Sequence, residues 1–146
     1  MTVLADTRAI LLVEDNAADA GLAVEELRAS DHAPDVRVAK DGDDALAQLR
    51  AHGDGTVRRP DVVVLDLNLP RQGGLATLAE LKSDAELRRI PVIVLTTSKS
   101  QDEINRCYEL GAAAVLNKPL RLSDYRAMLS ALDRFWIGHV RFPDGC

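Results

Sequence analysis

Short runs of consecutive apolar residues recur along the chain, and polar residues follow each of them. The four clearest runs cover residues 10–13, 62–65, 92–95 and 112–116, and a weaker run covers 35–38. Continuous rather than alternating apolar runs are typical of strands buried on both faces, as in a parallel sheet covered by helices. The pattern therefore predicts five strands.

Between these runs, apolar residues repeat at the spacing of three to four that marks one face of a helix. The five predicted faces are Ala20, Ala23, Val24 and Leu27; Ala45, Leu46 and Leu49; Leu75, Leu78 and Leu81; Ile104, Cys107 and Tyr108; and Leu122, Tyr125, Leu129, Leu132 and Trp136. The pairs Asp15-Asn16 and Asp41-Gly42 are suited to capping the first two helices. The alternation of strand and helix predicts a single α/β domain with a doubly wound parallel sheet and right-handed crossovers.

Composition and charge narrow the possible functions. The chain has 146 residues and a net charge of −5, and its basic residues occur as small pairs such as Arg58-Arg59 rather than as a stripe. That distribution argues against nucleic-acid binding through backbone phosphates. No run of about 18 apolar residues occurs and the N-terminus has no basic, apolar leader, so we expect a cytoplasmic protein without a membrane segment.

The cysteines and histidines show no chemical pattern of their own. Cys107 falls within a predicted helix and Cys146 is the last residue, so we expect no disulfide. His32, His52 and His139 lack the spacing of metal ligands and are expected at the surface.

Candidate chemistry gathers where the predicted strands end. The polar residues at these ends are Glu14, Asp15, Asp66, Thr96, Thr97 and Lys118. In a doubly wound sheet the ligand crevice lies outside the carboxyl ends of the strands, so we expect these side chains to converge. Two carboxylates about 4 Å apart repel by roughly 4 kcal/mol at an effective dielectric of about 20, so the cluster requires cations among its acids.

An ammonium and a divalent metal ion are the cations that suit this cluster. Lys118 supplies the ammonium, and a set of oxygen ligands facing solvent suits Mg²⁺ with several retained waters. With both cations present, Asp66 is suited to act as a carboxylate nucleophile toward a phosphoryl group. The metal and the ammonium would offset charge on the phosphoryl oxygens. An acidic crevice with no assigned task is the alternative, and the number of converging positions disfavours it.

These motifs resemble the receiver domain of two-component response regulators. The resemblance rests on residues 12–15, 64–70, Gly74, 95–97 and 118–119, in that order along the chain. The spacing between Asp66, Thr96 and Lys118 also agrees with the family. The resemblance implies a flavodoxin-like fold, a five-stranded parallel (βα)5 sheet in one domain.

The resemblance also divides the chain. It runs from residue 8 to about residue 136, so we assign 1–7 to an N-terminal lead, 8–137 to the receiver domain and 138–146 to a C-terminal extension. A loop is expected at 52–60.

A role for each matching residue follows from the resemblance. Asp66 is the expected phosphoacceptor, and a phosphohistidine on a sensor histidine kinase is the expected donor. With Asp66, the expected Mg²⁺ ligands are Asp15 directly, Glu14 mostly through water, and Asn68 through its backbone carbonyl.

Three further residues complete the expected site. Lys118 is expected to pair with a phosphate oxygen, Thr96 to swing its hydroxyl onto the phosphoryl group, and Thr97 to donate its backbone N–H. The peptide bond before Pro119 is expected to be cis, a form that proline makes accessible.

One position departs from the family pattern. Val115 stands three residues before Lys118, where the family often carries Tyr or Phe. The aromatic readout is therefore not carried over to this chain. We expect the added phosphoryl charge to draw Thr96 and Lys118 toward it, and output to come from repacking of the fourth helix and fifth strand.

Output is expected to depend on contacts with partners, because no effector domain follows the last helix. Residues 132–143, with 59–61 and 66–70, resemble the single-domain regulators associated with phytochrome-type histidine kinases, which makes a bacteriophytochrome the candidate kinase. We expect a homodimer through the fourth helix, fifth strand and fifth helix, with Phe135 and Trp136 available as aromatic interface anchors.

Two enzyme or cofactor-binding alternatives fit the sequence less well. A haloacid-dehalogenase-like phosphatase also uses an aspartyl nucleophile and Mg²⁺, but it needs a second Asp where this chain has Asn68. A flavin-binding module on the same fold needs a loop rich in glycine and hydroxyl groups where residues 14–19 are acidic. A receiver-fold scaffold that is never phosphorylated stays open.

Overall fold

The computed structural model of the chain describes residues 7–51, 58–70 and 73–143. The loop expected at 52–60 therefore lies outside the described residues up to residue 57. His52, Cys146, most of the N-terminal lead and the last residues of the C-terminal extension also lie outside them.

Within the described ranges, the chain forms the parallel sheet that the apolar runs predict. Its strands are β1 (Ala9–Val13), β2 (Asp35–Ala39), β3 (Val62–Asp66), β4 (Val92–Thr96) and β5 (Ala114–Asn117). The strand order is β2-β1-β3-β4-β5, and every neighbouring pair is parallel. The chain thus reverses its direction across the sheet between β1 and β3, which is the switch point of the flavodoxin-like fold. The predicted fold class is confirmed.

Helices cover the sheet in the described part of the chain. They are α1 (Ala17–Arg28), α2 (Gly42–Arg50), α3 (Gly73–Ser83), α4 (Gln101–Glu109) and α5 (Leu122–Leu132), followed by a π-helical turn (Asp133–Ile137). The Asn16 side chain accepts a hydrogen bond from the Asp19 N–H at 3.0 Å. The Asp41 side chain accepts one from the Asp44 N–H at 2.8 Å. Both predicted caps are confirmed, and each satisfies an amide that the first helical turn leaves unpaired.

No helix among the described residues has the length and apolar composition needed to cross a bilayer.

The core lies in two layers, one on each face of the sheet. Leu11 and Val13 of β1 pack in the layer under α2, α3 and α4, whereas Ile10 and Leu12 pack in the layer under α1 and α5. Every residue of β1, β3 and β4 is buried. Full burial of a Val, Leu or Ile side chain contributes about 1.5–3 kcal/mol to the stability of the fold. These strands therefore hold the residues at their carboxyl ends in fixed positions.

The fifth strand begins later than its apolar run predicts, at Ala114 rather than Ala112. Gly111 adopts a positive φ of 108°, and its N–H donates to the Tyr108 carbonyl at 3.0 Å. The Ala112 N–H donates to the Cys107 carbonyl, also at 3.0 Å. These two bonds end α4 in a Schellman motif. Because Ala112 belongs to this motif, the strand begins only at Ala114.

Two residues of the predicted helix faces lie at the surface instead. Tyr108 is 49% exposed and Leu122 is 54% exposed. The Tyr108 hydroxyl accepts a hydrogen bond from the Val115 N–H at 3.1 Å, so the ring lies along the edge of the sheet at β5. Leu122 is the first residue of α5 and lines a surface cavity beside the strand ends.

A contact that the apolar pattern does not reveal joins the end of the fold to the loop before β2. Asp133 is buried, and its Oδ2 lies 2.9 Å from His32 Nδ1. His32 is half-exposed, in agreement with its expected surface position, although its ring has this buried partner. A Cβ added at Gly138 would lie 2.8 Å from the His32 ring, so the chain after the π-helical turn passes closely over the imidazole.

The loop after β3 is packed so closely that one position accepts only glycine. The Gly74 N–H donates to the Leu67 carbonyl at 3.0 Å, and a Cβ added at Gly74 would lie 2.5 Å from the Leu67 Cα. Because the clash is with backbone, Gly74→Ala should lower the free energy of unfolding by about 1–3 kcal/mol, as measured by urea denaturation.

Gly21→Ala is the matched control for that substitution. Gly21 lies inside α1, and a Cβ added there meets nothing within 4 Å. This variant should gain about 0.5–1 kcal/mol from helix propensity alone. A Gly74→Ala protein as stable as the unsubstituted chain would contradict the packing described for the loop.

Candidate functional site

The predicted site residues lie at the switch point of the sheet. Glu14 and Asp15 directly follow β1, Asp66 ends β3, and Thr96 ends β4. Glu14 is 2% exposed and Asp66 is 4% exposed, whereas Asp15 is open to solvent. Two buried carboxylates beside each other require a counter-charge in direct contact.

Lys118 supplies that counter-charge. Its Nζ lies 2.6 Å from Glu14 Oε1, 3.2 Å from Asp66 Oδ2 and 3.0 Å from Asp19 Oδ2. The Lys118 backbone N–H donates to the Thr96 carbonyl at 2.8 Å, which fixes the root of the side chain against β4. The sequence predicts the convergence of Lys118 with Glu14 and Asp66, and the structure brings the three together.

The ionisation of the cluster reflects its burial. Burial, with the Asp66 carboxylate adding to it, raises the pKa of Glu14 to about 7, although the hydrogen bond from Lys118 opposes the shift. Burial alone would lower the pKa of Lys118, but its hydrogen bonds to Glu14 and Asp19 outweigh burial and raise the pKa above its usual value. The ammonium therefore stays charged at neutral pH.

The acids of the site fit a divalent cation. Carboxylate oxygens of Glu14, Asp15 and Asp66 all lie within 4.8 Å of one another. Hard oxygen ligands of this kind, with one carboxylate exposed, suit an ion that keeps part of its hydration shell.

Hydrogen bonds orient the polar residues around Asp66. The Asn68 N–H donates to Asp66 Oδ1 at 2.9 Å, and the Asn68 side-chain amide donates to Thr97 Oγ1 at 2.9 Å. Thr96 is buried, and its hydroxyl oxygen accepts from the Ser98 N–H at 2.9 Å. All seven residues predicted for the site thus lie on the segments that meet at this edge of the sheet.

The expected cis peptide before Pro119 is wrong for this structure. No peptide bond among the described residues is cis, so the bond between Lys118 and Pro119 is trans. Trans is the intrinsically favoured isomer of such a bond by about 0.5–1 kcal/mol. In this arrangement the Lys118 ammonium already contacts its carboxylates.

Two residues beside Lys118 escape prediction as site residues. Asp19 lies in the first turn of α1, four residues after Asp15, and the acidic character of 14–19 is its only signal in the sequence. Tyr125 fits the apolar face of α5, yet its ring centroid lies 5.9 Å from Lys118 Nζ. Burial raises the pKa of Tyr125 to about 12, and its buried hydroxyl has no hydrogen-bond partner among the described residues.

Comparison with known proteins places this geometry in a family. The response regulator receiver domain model matches residues 10–130. Response regulator Rcp1 from Synechocystis sp. is 39% identical over 137 residues, which cover 93% of this chain and 93% of Rcp1. The crystal structure of Mn²⁺-bound Rcp1 has a TM-score of 0.86 and covers 94% of this chain and 99% of that chain.

Two further solved structures are similar over nearly the whole chain. The phosphorylated cyanobacterial phytochrome response regulator RcpA is 40% identical, with a TM-score of 0.87 and coverage of 94% of this chain and 99% of RcpA. The bacteriophytochrome response regulator AtBRR is 38% identical, with a TM-score of 0.68 and coverage of 89% and 95%. These likenesses favour a signalling receiver over the haloacid-dehalogenase-like phosphatase. With its acidic strand ends and its Lys118 at the switch point, this chain belongs to the response regulator receiver domain family.

Proposed function

We propose that Asp66 accepts a phosphoryl group from a phosphohistidine on a sensor histidine kinase, and that this modification switches the chain's contacts with its partners. The environment of the Asp66 carboxylate carries the proposal. One oxygen accepts from the Asn68 N–H at 2.9 Å and the other from the Lys118 ammonium at 3.2 Å. A carboxylate held in one orientation meets the positional requirement for in-line attack on phosphorus.

The chemistry is a self-catalysed transfer followed by hydrolysis. An Asp66 oxygen attacks the phosphorus, and the P–N bond to the donor histidine breaks with its electron pair staying on the imidazole. Lys118 offsets the charge on the phosphoryl oxygens, and the Thr97 N–H donates to one of them. Hydrolysis then ends the phosphorylated state. Water attacks the phosphorus, the P–O bond to Asp66 breaks, and inorganic phosphate leaves.

Mg²⁺ is the ion that we propose for the acidic cluster. Asp15, Asp66 and the Asn68 carbonyl would hold it, with Glu14 acting mostly through water. The exposed Asp15 carboxylate is free to coordinate, whereas Glu14 is already engaged by Lys118 at 2.6 Å, which supports the water-mediated role. When bound, the ion supplies positive charge that balances the carboxylates and the phosphoryl oxygens.

A chain of hydrogen bonds links Thr96 to α4 and supports a route for the switch. The Thr96 hydroxyl oxygen accepts from the Ser98 N–H at 2.9 Å, and the Ser98 hydroxyl oxygen accepts from the Ser100 N–H at 3.1 Å. The Ser100 hydroxyl oxygen in turn caps α4 by accepting from the Glu103 N–H at 3.3 Å. If Thr96 turns toward a phosphoryl group, it releases the first of these bonds and changes the entry to α4. This route needs no aromatic residue at Val115.

The partners form part of the proposal. RcpA and AtBRR are phytochrome and bacteriophytochrome response regulators, which supports a phytochrome-type histidine kinase as the donor. A second copy of the chain is the proposed partner on the face of α4, β5 and α5. Nucleic acid is not a proposed partner, and the cytoplasmic location stays a prediction.

Intact mass spectrometry tests the acceptor. After incubation with acetyl phosphate and Mg²⁺, the unsubstituted chain should gain one phosphoryl group, and Asp66→Asn should gain none because the amide is a poor nucleophile. Asp31→Asn, which removes an exposed acid outside the cluster, is the control and should be phosphorylated normally. Chelation of Mg²⁺ should abolish the gain.

A phosphoryl group on Asp66→Asn would contradict the assignment of the acceptor. An unsubstituted chain that takes no phosphoryl group from acetyl phosphate or from a phytochrome-type kinase would favour the scaffold.

Sedimentation velocity tests the route through Thr96. Addition of beryllofluoride and Mg²⁺ should shift the unsubstituted chain from monomer toward dimer. Thr96→Ala should bind beryllofluoride but dimerise less, because it lacks the hydroxyl that links the site to the start of α4. Thr96→Ser keeps that hydroxyl and should restore the shift toward dimer. A chain that stays monomeric at high concentration with beryllofluoride bound would contradict the proposed dimer.

A further inference from the structure

Lys118 contacts one more carboxylate than the receiver chemistry requires. Besides Glu14 and Asp66, its Nζ lies 3.0 Å from Asp19 Oδ2 in the first turn of α1. We propose that Asp19 is a positioning residue that competes with the incoming phosphoryl group for Lys118 and so slows phosphoryl acceptance. This inference rests on the proposed function of Asp66.

Three carboxylates surround the Lys118 ammonium. It donates hydrogen bonds to Glu14 at 2.6 Å and to Asp66 at 3.2 Å, and it forms an ion pair with Asp19 Oδ2 at 3.0 Å. A phosphoryl oxygen that approaches the remaining side of the ammonium must therefore displace one of these carboxylates. Which carboxylate leaves is decided by the cost of leaving it without this partner.

That cost is lowest for Asp19. The Glu14 side chain is 1% exposed, so bulk water cannot replace the contact with Lys118. Asp66 carries the phosphoryl group and stays beside the ammonium. The Asp19 side chain is 41% exposed, so water replaces the lost contact at little cost.

Asp19 also adds negative charge to a cavity beside the strand ends. Asp19, Lys118, Thr97 and Tyr125 are among the residues lining a cavity of about 270 Å³ beside the strand ends. A phosphodonor entering by this cavity meets the Asp19 carboxylate and the Lys118 ammonium together. Loss of the carboxylate therefore removes both a repulsion and a competitor.

The position of Asp19 at the start of α1 distinguishes it from the other acids of this helix. The Asn16 side chain holds the Asp19 N–H at 3.0 Å, which fixes the backbone of Asp19 at the start of α1. Its carboxylate therefore reaches Lys118 from the helix, while Glu14 and Asp66 reach it from the sheet. Glu25 lies on the same helix, is exposed, and has no contact with Lys118, so it offers a matched charge control.

Phosphorylation kinetics and beryllofluoride binding test the inference in the full chain. In the measured reaction an Asp66 oxygen attacks the phosphorus of acetyl phosphate, and acetate leaves with the electron pair of the broken P–O bond. With Mg²⁺ present, Asp19→Asn should be phosphorylated about two- to five-fold faster and bind beryllofluoride tighter by a similar factor, the size expected for a partly exposed ion pair. Glu25→Gln should match the unsubstituted chain, and Asp19→Glu should restore slow phosphorylation.

A double-substitution cycle separates positioning from a structural role. Bound beryllofluoride is measured by ¹⁹F NMR, and Asp19→Asn should have no effect on its affinity when Lys118→Ala is also present, because the competition acts through the ammonium. The urea denaturation of Asp19→Asn is recorded in parallel, because an acid in the first turn of α1 also favours the helix.

Three results would overturn the inference. Asp19→Asn could match or fall below the unsubstituted chain in rate and beryllofluoride affinity, or Glu25→Gln could accelerate equally, or the effect of Asp19→Asn could persist without Lys118. In each case phosphorylation of the unsubstituted chain leaves the proposed function standing. If the unsubstituted chain neither gains a phosphoryl group nor binds beryllofluoride, the proposed function and the inference fail together.

Discussion

The contact between the Lys118 ammonium and two buried carboxylates is the interaction on which the rest of this structure depends. Glu14 directly follows β1, Asp66 ends the neighbouring β3, and both lie almost wholly out of solvent. Two such charges about 4 Å apart would repel by roughly 4 kcal/mol at an effective dielectric of about 20. Lys118 at 2.6 and 3.2 Å converts that repulsion into a network that joins the ends of β1, β3 and β5.

The same ammonium connects the fold to its chemistry. Its backbone is tied to Thr96 at the end of β4, and Thr96 begins the hydrogen-bond chain that reaches the N-terminus of α4. A phosphoryl group on Asp66 would place about −1.5 to −2 charges beside both residues, in place of the single charge of the carboxylate. The proposed switch is therefore a redistribution of contacts around the Lys118 ammonium, which alters the packing of the α4 and β5 surface.

The parts of the fold that depend on burial are predictable from the sequence. Continuous apolar runs identify the strands, and the polar residues that end them identify the site, because parallel strands bring their carboxyl ends to one edge. Contacts that depend on how separate segments pack against each other, or on how a helix ends, are not predictable in this way. The pairing of His32 with Asp133 spans the chain, and the Schellman motif at Gly111 takes residues that look like strand. The resemblance to the family suggested a cis bond before Pro119 that this structure does not have.

Asp19 is the clearest example of a contact that the sequence does not reveal, because its proposed role depends on α1 placing it beside a lysine 99 residues further along the chain. A crystal structure with Mg²⁺ and beryllofluoride tests the central claim most directly. The account predicts beryllium bonded to an Asp66 oxygen, and Lys118 donating to a fluorine and to Glu14 while the Asp19 carboxylate turns to solvent. A complex in which beryllofluoride binds elsewhere, or in which Lys118 makes no contact with it and keeps all three carboxylates, would contradict the account.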